Sequence, residues 1–131
     1  MDIFGMTLDK VEAEKLSDTL PTSVGVDIRF EDAKFEQRVL IIRFLYEVEY
    51  KEKVGRLKIS GRVVMRGVDK DLKKVADDWK ANKIFSKDVT EPLLNMINVT
   101  ASLNAVFVAR ALGLAPPMLP PRIMLRETPK K

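Results

Sequence analysis

Residues 35–66 read FEQRVLIIRFLYEVEYKEKVGRLKISGRVVMR, and this stretch decides the fold. From residue 40 every second side chain is apolar or aromatic, and the alternation returns after residue 56. A period of two is typical of a β-strand with one buried face. The polar residues 51–53 interrupt the pattern and predict a hairpin turn. The sequence therefore predicts two long antiparallel strands, at about residues 35–50 and 54–66.

The side chains of this hairpin also predict its register. If Glu49 lies opposite Arg56, opposite charges pair on one face and apolar side chains meet on the other. The same register sets Arg43 opposite Arg62, which is an unfavourable pair of like charges. The other predicted pairs are Glu47 with Lys58, Val48 with Leu57, Tyr46 with Ile59, Phe44 with Gly61, Ile42 with Val63, and Leu40 with Met65.

Two further strands are predicted upstream, at about residues 24–31 and 3–15. The first alternates cleanly between apolar and polar residues, and a turn at residues 32–34 would connect it to the hairpin. The pattern of the earlier strand changes phase near Asp9, which a β-bulge would accommodate. A helix capped by Thr7 is the alternative interpretation, because this segment contains good helix formers.

Two helices are predicted after the sheet, at about residues 69–82 and 89–112. Asp69 is the predicted cap of the first helix, and Thr90 or Asp88 that of the second. Gly113 is the predicted stop of the second helix. The first helix is amphipathic, with an apolar face formed by Val68, Leu72, Val75 and Trp79.

The second helix carries two apolar stripes. A surface helix on a monomer normally has one such stripe, so the second stripe predicts a homo-oligomer. One stripe consists of Leu93, Met96, Leu103, Phe107 and Ala111. The other, which we assign to the oligomer interface, consists of Leu94, Ile97, Ala101, Ala105, Val108 and Leu112. Residues 113–131 form a Pro-rich apolar tail.

The composition disfavours an enzyme. The 131 residues suit one domain, residues 1–131, and include no Cys and no His. We therefore predict no catalytic residue, no metal and no cofactor. The net charge is +4, but 23 basic and 19 acidic residues are interspersed, which favours a solvated surface over a nucleic-acid site. We find neither a signal-like start nor a membrane span, and expect a cytoplasmic protein.

Three stretches resemble the SecB family of export chaperones. They are VGVDIRF at residues 24–30, the hairpin at residues 39–67, and EPLL at residues 91–94 with the later LGLAPP at residues 112–117. The resemblance implies an α+β fold, with a four-stranded antiparallel sheet, an amphipathic helix, a long C-terminal helix and the Pro-rich tail. It also implies a homotetramer, built as a dimer of dimers, that binds non-native polypeptides in apolar grooves without ATP.

Carried over by position, the resemblance places the client-binding groove on three segments. Its walls would be the crossover at residues 20–23 and the tail, and its floor would be strand aromatics. The implied client-binding residues are Leu20, Phe30, Phe44, Met118, Leu119, Ile123, Met124 and Leu125. The fourth strand departs from the family, because it is basic where SecB presents an acidic surface to SecA, so we do not expect coupling to SecA. A structural or adaptor oligomer and a basic nucleic-acid-binding protein remain alternatives.

Overall fold

The structure is a computed structural model that describes residues 1–117. The predicted α+β class is confirmed, with one four-stranded antiparallel sheet followed by two helices. The Pro-rich tail beyond Pro117 lies outside the described residues. The elements are β1 (Asp2–Lys15), β2 (Val24–Glu36), β3 (Val39–Tyr50), β4 (Gly55–Arg66), α1 (Asp69–Asn82) and α2 (Lys87–Ala111).

The sheet has the strand order β1-β4-β3-β2. Strands β2, β3 and β4 follow one another as a meander, and β1 pairs with the far side of β4. Hence β1 and β2 are the two edges, and the chain between them must cross the end of the sheet. The predicted register of β3 and β4 is confirmed, including Glu49 opposite Arg56 and Arg43 opposite Arg62.

The two edge strands contain bulges. Strand β1 skips Asp9 between its paired residues Leu8 and Lys10, so the predicted bulge is confirmed and the helical alternative is wrong. The predicted turn at residues 32–34 is also wrong. A bulge at Glu31 lets β2 continue to Glu36. The hairpin turn is instead Gln37-Arg38, whose φ values of 50° and 67° are those of a type I′ turn.

The hydrophobic core lies between one face of the sheet and the two helices. Helix α1 packs on β2 and β3, whereas α2 contacts all four strands. Alternate side chains of β3 and β4 supply the centre of this core, as their period-two pattern predicts. The fully buried strand residues are Leu40, Ile42, Phe44, Tyr46, Val48, Tyr50, Leu57, Ile59 and Val63.

The helix ends differ in detail from the predictions. The N-cap of α1 is Val68, so Asp69 is the first helical residue. At this position its negative charge interacts favourably with the helix dipole. The N-cap of α2 is Ser86, and the Thr90 hydroxyl donates to the Ser86 carbonyl at 2.8 Å from within the first turn. Gly113 follows α2 with a φ of +68°, as expected of a helix stop.

Two tyrosines of β3 fix α2 and the chain that follows it. The hydroxyls of Tyr46 and Ser102 share a hydrogen bond of 3.1 Å inside the core. The Tyr50 hydroxyl donates to the Ala115 carbonyl at 2.5 Å. Burial raises the pKa of both phenols above the usual value, since it disfavours the charged phenolate. These bonds hold the C-terminal part of α2 over β3.

Helix α2 corrects the expectation that no segment resembles a membrane span. Among the helices of residues 1–117, only α2 is long and apolar enough, by length and composition, to cross a membrane. Its most apolar 18-residue window has a mean hydropathy of 1.4, and 39% of that window is buried inside the chain. The core helix of a soluble protein meets the same criterion.

Candidate functional site

The two helices leave part of the apolar face of the sheet uncovered. Val24 and Val26 of β2 lie on the same face as the buried side chains of β3, yet they are 37% and 42% exposed. The reason is that α1 covers the other half of β2, where Lys73 Nζ lies 5.4 Å from the ring centroid of Phe35. The first half of β2 therefore presents apolar side chains to solvent.

The crossover between β1 and β2 adds apolar side chains at the same end of the sheet. Leu16 is half exposed, and Leu20 is 87% exposed. The crossover is anchored on both sides of Leu20, because the Leu16 amide donates to the Val54 carbonyl at 2.8 Å and the Lys51 amide donates to the Ser23 carbonyl at 3.0 Å. We call the exposed apolar residues of this stretch, Leu16, Leu20, Val24 and Val26, the crossover surface.

The opposite face of β2, next to the crossover surface, carries paired charges of both signs. Arg29 pairs with Glu47 and lies 3.3 Å from Asp27, while Glu49 lies 3.8 Å from Lys51. Taken whole, β2 carries four acidic and two basic residues in a protein of net charge +4. Within residues 24–30, however, Asp27 and Arg29 are the only charged residues, so the charges of this half of the strand balance.

A second exposed apolar surface lies on α2. Four large apolar side chains recur every three or four residues, so they share one face of the helix. Phe107 is 69% exposed, and the others are between about one third and one half exposed. We call this face the α2 outer stripe, and its residues are Met96, Val99, Leu103 and Phe107.

The predicted client-binding residues differ in their exposure to solvent. Leu20 is exposed, whereas Phe44 is fully buried, so its assignment to a groove floor is corrected. Phe30 is half-buried and packs edge-to-face on Phe85, with 5.1 Å between ring centroids. Phe85 in turn stacks on Trp79. The remaining residues, Met118, Leu119, Ile123, Met124 and Leu125, lie outside the described residues.

The predicted interface residues of α2 are corrected in the same way. Ile97, Ala101 and Ala105 are fully buried within the chain and cannot reach a second copy. Their small side chains allow α2 to approach the sheet closely. The other three, Leu94, Val108 and Leu112, are half-buried. The predicted division into two stripes is also corrected, because Leu93 of the first stripe is buried together with Ile97, Ala101 and Ala105 of the second. The outward face contains Leu103 and Phe107.

Sequence reasoning placed Val24 and Val26 on the apolar face of a strand and did not identify them as exposed. The signal that was available is their position in an edge strand, because the outer side of such a strand lacks a neighbour. The sequence does not state how far the helices extend over that edge. The exposure of Leu16 was also not predicted, because it depends on the path that the crossover takes between β1 and β2.

Solved structures include a protein of similar architecture, a SecB-like chaperone of Mycobacterium tuberculosis in complex with a ChAD peptide from the HigA1 antitoxin. The similarity has a TM-score of 0.55, covers 97% of this chain and 90% of that chain, and is accompanied by 11% sequence identity. The fold is SecB-like. At this identity the SecB-like likeness concerns the fold alone. No protein-family model matches the sequence, and no curated protein matches it significantly.

Acidic and basic side chains are distributed over the surface of the sheet. Within residues 1–117, no group of three or more Asp or Glu side chains is arranged to hold a metal ion. The charged side chains form surface ion pairs, for example Lys10 with Glu12 at 2.6 Å. That contact raises the pKa of Lys10 and lowers the pKa of Glu12, because the hydrogen bond between them, and then their opposite charges, favour both charged forms.

Proposed function

We propose that this protein is an ATP-independent holdase, a chaperone of the cytoplasm that binds non-native polypeptides on apolar surfaces. The observation that carries the proposal is the crossover surface, where apolar side chains of one stretch of chain are exposed on a SecB-like fold. Leu20, exposed almost completely, is the most exposed residue of that surface. Exposed apolar patches on folded proteins mark sites of interaction.

The affinity of such a surface has a simple physical origin. Moving a Leu or Val side chain from water into an apolar contact contributes on the order of 1.5–3 kcal/mol when the burial is complete. Several shallow contacts of this kind hold an extended polypeptide without reading a defined sequence. Because the contacts are apolar and non-directional, the mechanism requires neither nucleotide nor a catalytic group.

The solved SecB-like chaperone supports a polypeptide as the ligand. That protein was determined in complex with a peptide. In this chain, the two ends of the crossover are held by backbone hydrogen bonds to Val54 and Lys51 of the β3–β4 turn. The crossover surface is therefore presented on an anchored segment, which lowers the entropic cost of binding an unfolded chain.

We further propose that the protein forms a homo-oligomer, a dimer of dimers, through the α2 outer stripe. Leu103 and Phe107 would be the centre of the contact, since both are large and exposed on a single helical face. Coupling to SecA is not part of the proposal. On β4, Arg56, Lys58 and Arg62 lie on the face opposite the buried Leu57 and Ile59.

An aggregation assay tests the holdase proposal. A chemically unfolded enzyme is diluted into buffer with a substoichiometric amount of the protein and no nucleotide, and light scattering is followed. The native protein should suppress scattering, and Leu20→Asp should reduce that suppression several-fold. Ile84→Asp is the matched control, because Ile84 is a similarly large exposed residue outside the crossover surface.

Scattering that is unaffected by the native protein would refute the holdase proposal. Equal losses for Leu20→Asp and Ile84→Asp would refute the assignment of binding to the crossover surface. Both variants replace exposed side chains, so they are expected to stay folded. Circular dichroism and thermal unfolding of each variant establish this before the assay.

A further inference from the structure

Strand β2 has an open edge whose backbone orientation can be worked out. The Lys51 amide donates to the Ser23 carbonyl, which makes Ser23 and Lys51 a hydrogen-bonded pair at the start of the β2–β3 ladder. Such pairs alternate with non-hydrogen-bonded pairs along an antiparallel ladder. The ladder is regular from Val24 to Phe30. The N–H and C=O groups of Val24, Val26, Ile28 and Phe30 therefore point away from β3.

The two edges of the sheet differ in regularity. Strand β1 is interrupted twice, since its register shifts between Ile3 and Gly5 and again between Leu8 and Lys10. Bulges of this kind protect an edge against pairing with another strand. Strand β2 has no shift between residues 24 and 30, and among the described residues it pairs only with β3. The first half of β2 is therefore the more favourable edge for an added strand.

The outward backbone groups belong to the residues whose side chains lie on the apolar face. Val24 and Val26 each combine an outward N–H and C=O with a partly exposed side chain. Paired strands lie about 4.8 Å apart, and directly opposite side chains point to the same face. An added strand would thus place alternate side chains beside Val24 and Val26, and the others beside Asp27 and Arg29 on the opposite face.

We propose that residues 24–30 of β2 bind an extended segment of the client by antiparallel strand addition. The proposal rests on the holdase function and defines its ligand: an extended segment in which every second residue is apolar. The backbone bonds hold any extended sequence, and the apolar contacts with Val24 and Val26 add affinity. The positions between lie on the face of Asp27 and Arg29, whose opposite charges balance within residues 24–30, so the segment selects no particular charge there.

Backbone-modified peptides test this proposal directly. The parent peptide has nine residues in which lysine and valine alternate, and binding is measured by fluorescence anisotropy. Two derivatives keep every side chain and carry N-methyl groups, one on its valines and the other on its lysines. Antiparallel pairing with Val26 uses the N–H groups of the valines. The valine-methylated peptide should therefore bind at least tenfold more weakly than the lysine-methylated peptide.

A variant of the protein provides an independent test. Val26→Pro removes an N–H that points away from β3, and proline is tolerated at such edge positions. Val26→Ala is the matched control, because it shortens the side chain and keeps the N–H. Val26→Pro should weaken binding of the parent peptide at least fivefold relative to Val26→Ala. Thermal unfolding of both variants establishes that the sheet is intact.

The outcomes separate this proposal from the holdase function. Equal affinities for the two methylated peptides, or for the two variants, would overturn strand addition and leave the holdase function in place. Failure of the native protein to bind both the parent peptide and an unfolded enzyme would overturn the holdase function, and strand addition with it. Weaker binding of the valine-methylated peptide together with a loss in Val26→Pro supports the proposal.

Discussion

Arg43 of β3 lies directly opposite Arg62 of β4, on the solvent face of the sheet. The carboxylate of Asp9 lies between them, 3.8 Å from the guanidinium of Arg43 and 3.6 Å from that of Arg62. Asp9 is the residue that β1 leaves unpaired at its bulge. The bulge and the like-charge pair are therefore parts of one arrangement, in which the negative charge of the extra residue reduces the repulsion between the two arginines.

Replacing Asp9 by Asn should destabilise the protein. The two arginines would then repel each other without a compensating charge, and we expect the free energy of unfolding to fall by about 1 kcal/mol at low salt. Urea denaturation measures the change. The loss should shrink in high salt, which screens exposed charges, and it should be partly reversed by adding Arg43→Gln. An Asp9→Asn protein as stable as the native one at low salt would contradict the arrangement.

Gly61 should not tolerate a side chain. A Cβ atom at this position would lie 2.3 Å from the carbonyl oxygen of Thr7 and 3.0 Å from Cζ of Phe44. Since the first contact is with backbone, the strands must separate, and Gly61→Ala should reduce the free energy of unfolding by about 2 kcal/mol. Gly25→Ala is the control, because a Cβ there meets no atom within 4 Å. Similar urea midpoints for the two variants would contradict the prediction.

Removing the hydroxyl of Ser102 should cost more than removing both hydroxyls of its hydrogen bond. Ser102→Ala leaves the Tyr46 hydroxyl buried without this partner, which costs about 1–3 kcal/mol. Adding Tyr46→Phe removes the unpaired group, so the double variant should be more stable than Ser102→Ala alone. Thermal and urea unfolding provide the comparison. A double variant less stable than Ser102→Ala would show that the unpaired Tyr46 hydroxyl is not the cause of the loss of stability in Ser102→Ala.

Stability should decline at alkaline pH because of the two tyrosines. Their pKa values are raised in the folded protein, so the unfolded chain loses its phenolic protons first. This stabilising effect is complete below the ordinary tyrosine pKa of about 10 and is lost as pH rises through the folded values. Urea unfolding between pH 8 and 11 should show the decline.

Absorbance of tyrosinate near 295 nm would follow the ionisation, and it reports on Tyr46 and Tyr50 alone because the chain has 2 tyrosines. The control is the protein with Tyr46→Phe and Tyr50→Phe, whose stability should decline less steeply over the same pH range. Equal slopes for the two proteins would contradict the assignment to these phenols.

Charges on the α2 outer stripe should separate the proposed oligomer. Leu103→Glu combined with Phe107→Glu would bring like charges together at the contact, and the mass in solution should fall from that of four chains to that of two or fewer. Light scattering coupled to size exclusion gives the mass. The matched control is Val68→Glu, which changes an exposed apolar residue at the start of α1. A native protein that is already a monomer at micromolar concentration would refute the interface.

The hairpin of β3 and β4 could be predicted to the residue because independent signals agreed. The alternation fixed which face of each strand is apolar, and the charge pair of Glu49 with Arg56 fixed the register. The bulge at Asp9 was visible as a change of phase in the alternation. Local pattern is sufficient for these features, because each is determined by side chains on one strand or on two adjacent strands.

Features that depend on packing between layers could not be predicted. Which stripe of α2 faces the sheet depends on how the helix crosses the twisted strands, and spacing leaves both stripes equivalent. Phe44 was assigned to a groove although Gly61 leaves room for its ring inside the core. The bulge at Glu31 could not be predicted, because the residues that follow it have the composition of a turn. What extends β2 past the bulge is its pairing with the start of β3, which lies beyond the next turn in the sequence.

The strand order has a consequence for how the chain acquires its structure during synthesis. Strand β1 leaves the ribosome first but can pair only with β4, the last strand to appear: Lys15 joins Gly55, and Asp2 joins Arg66. The meander from β2 to β4 closes through short turns and should assemble earlier. Until β4 has been synthesised, β1 cannot form its hydrogen bonds in the sheet. Completing the sheet should therefore be a late step of folding, and slower translation of β4 should delay that step.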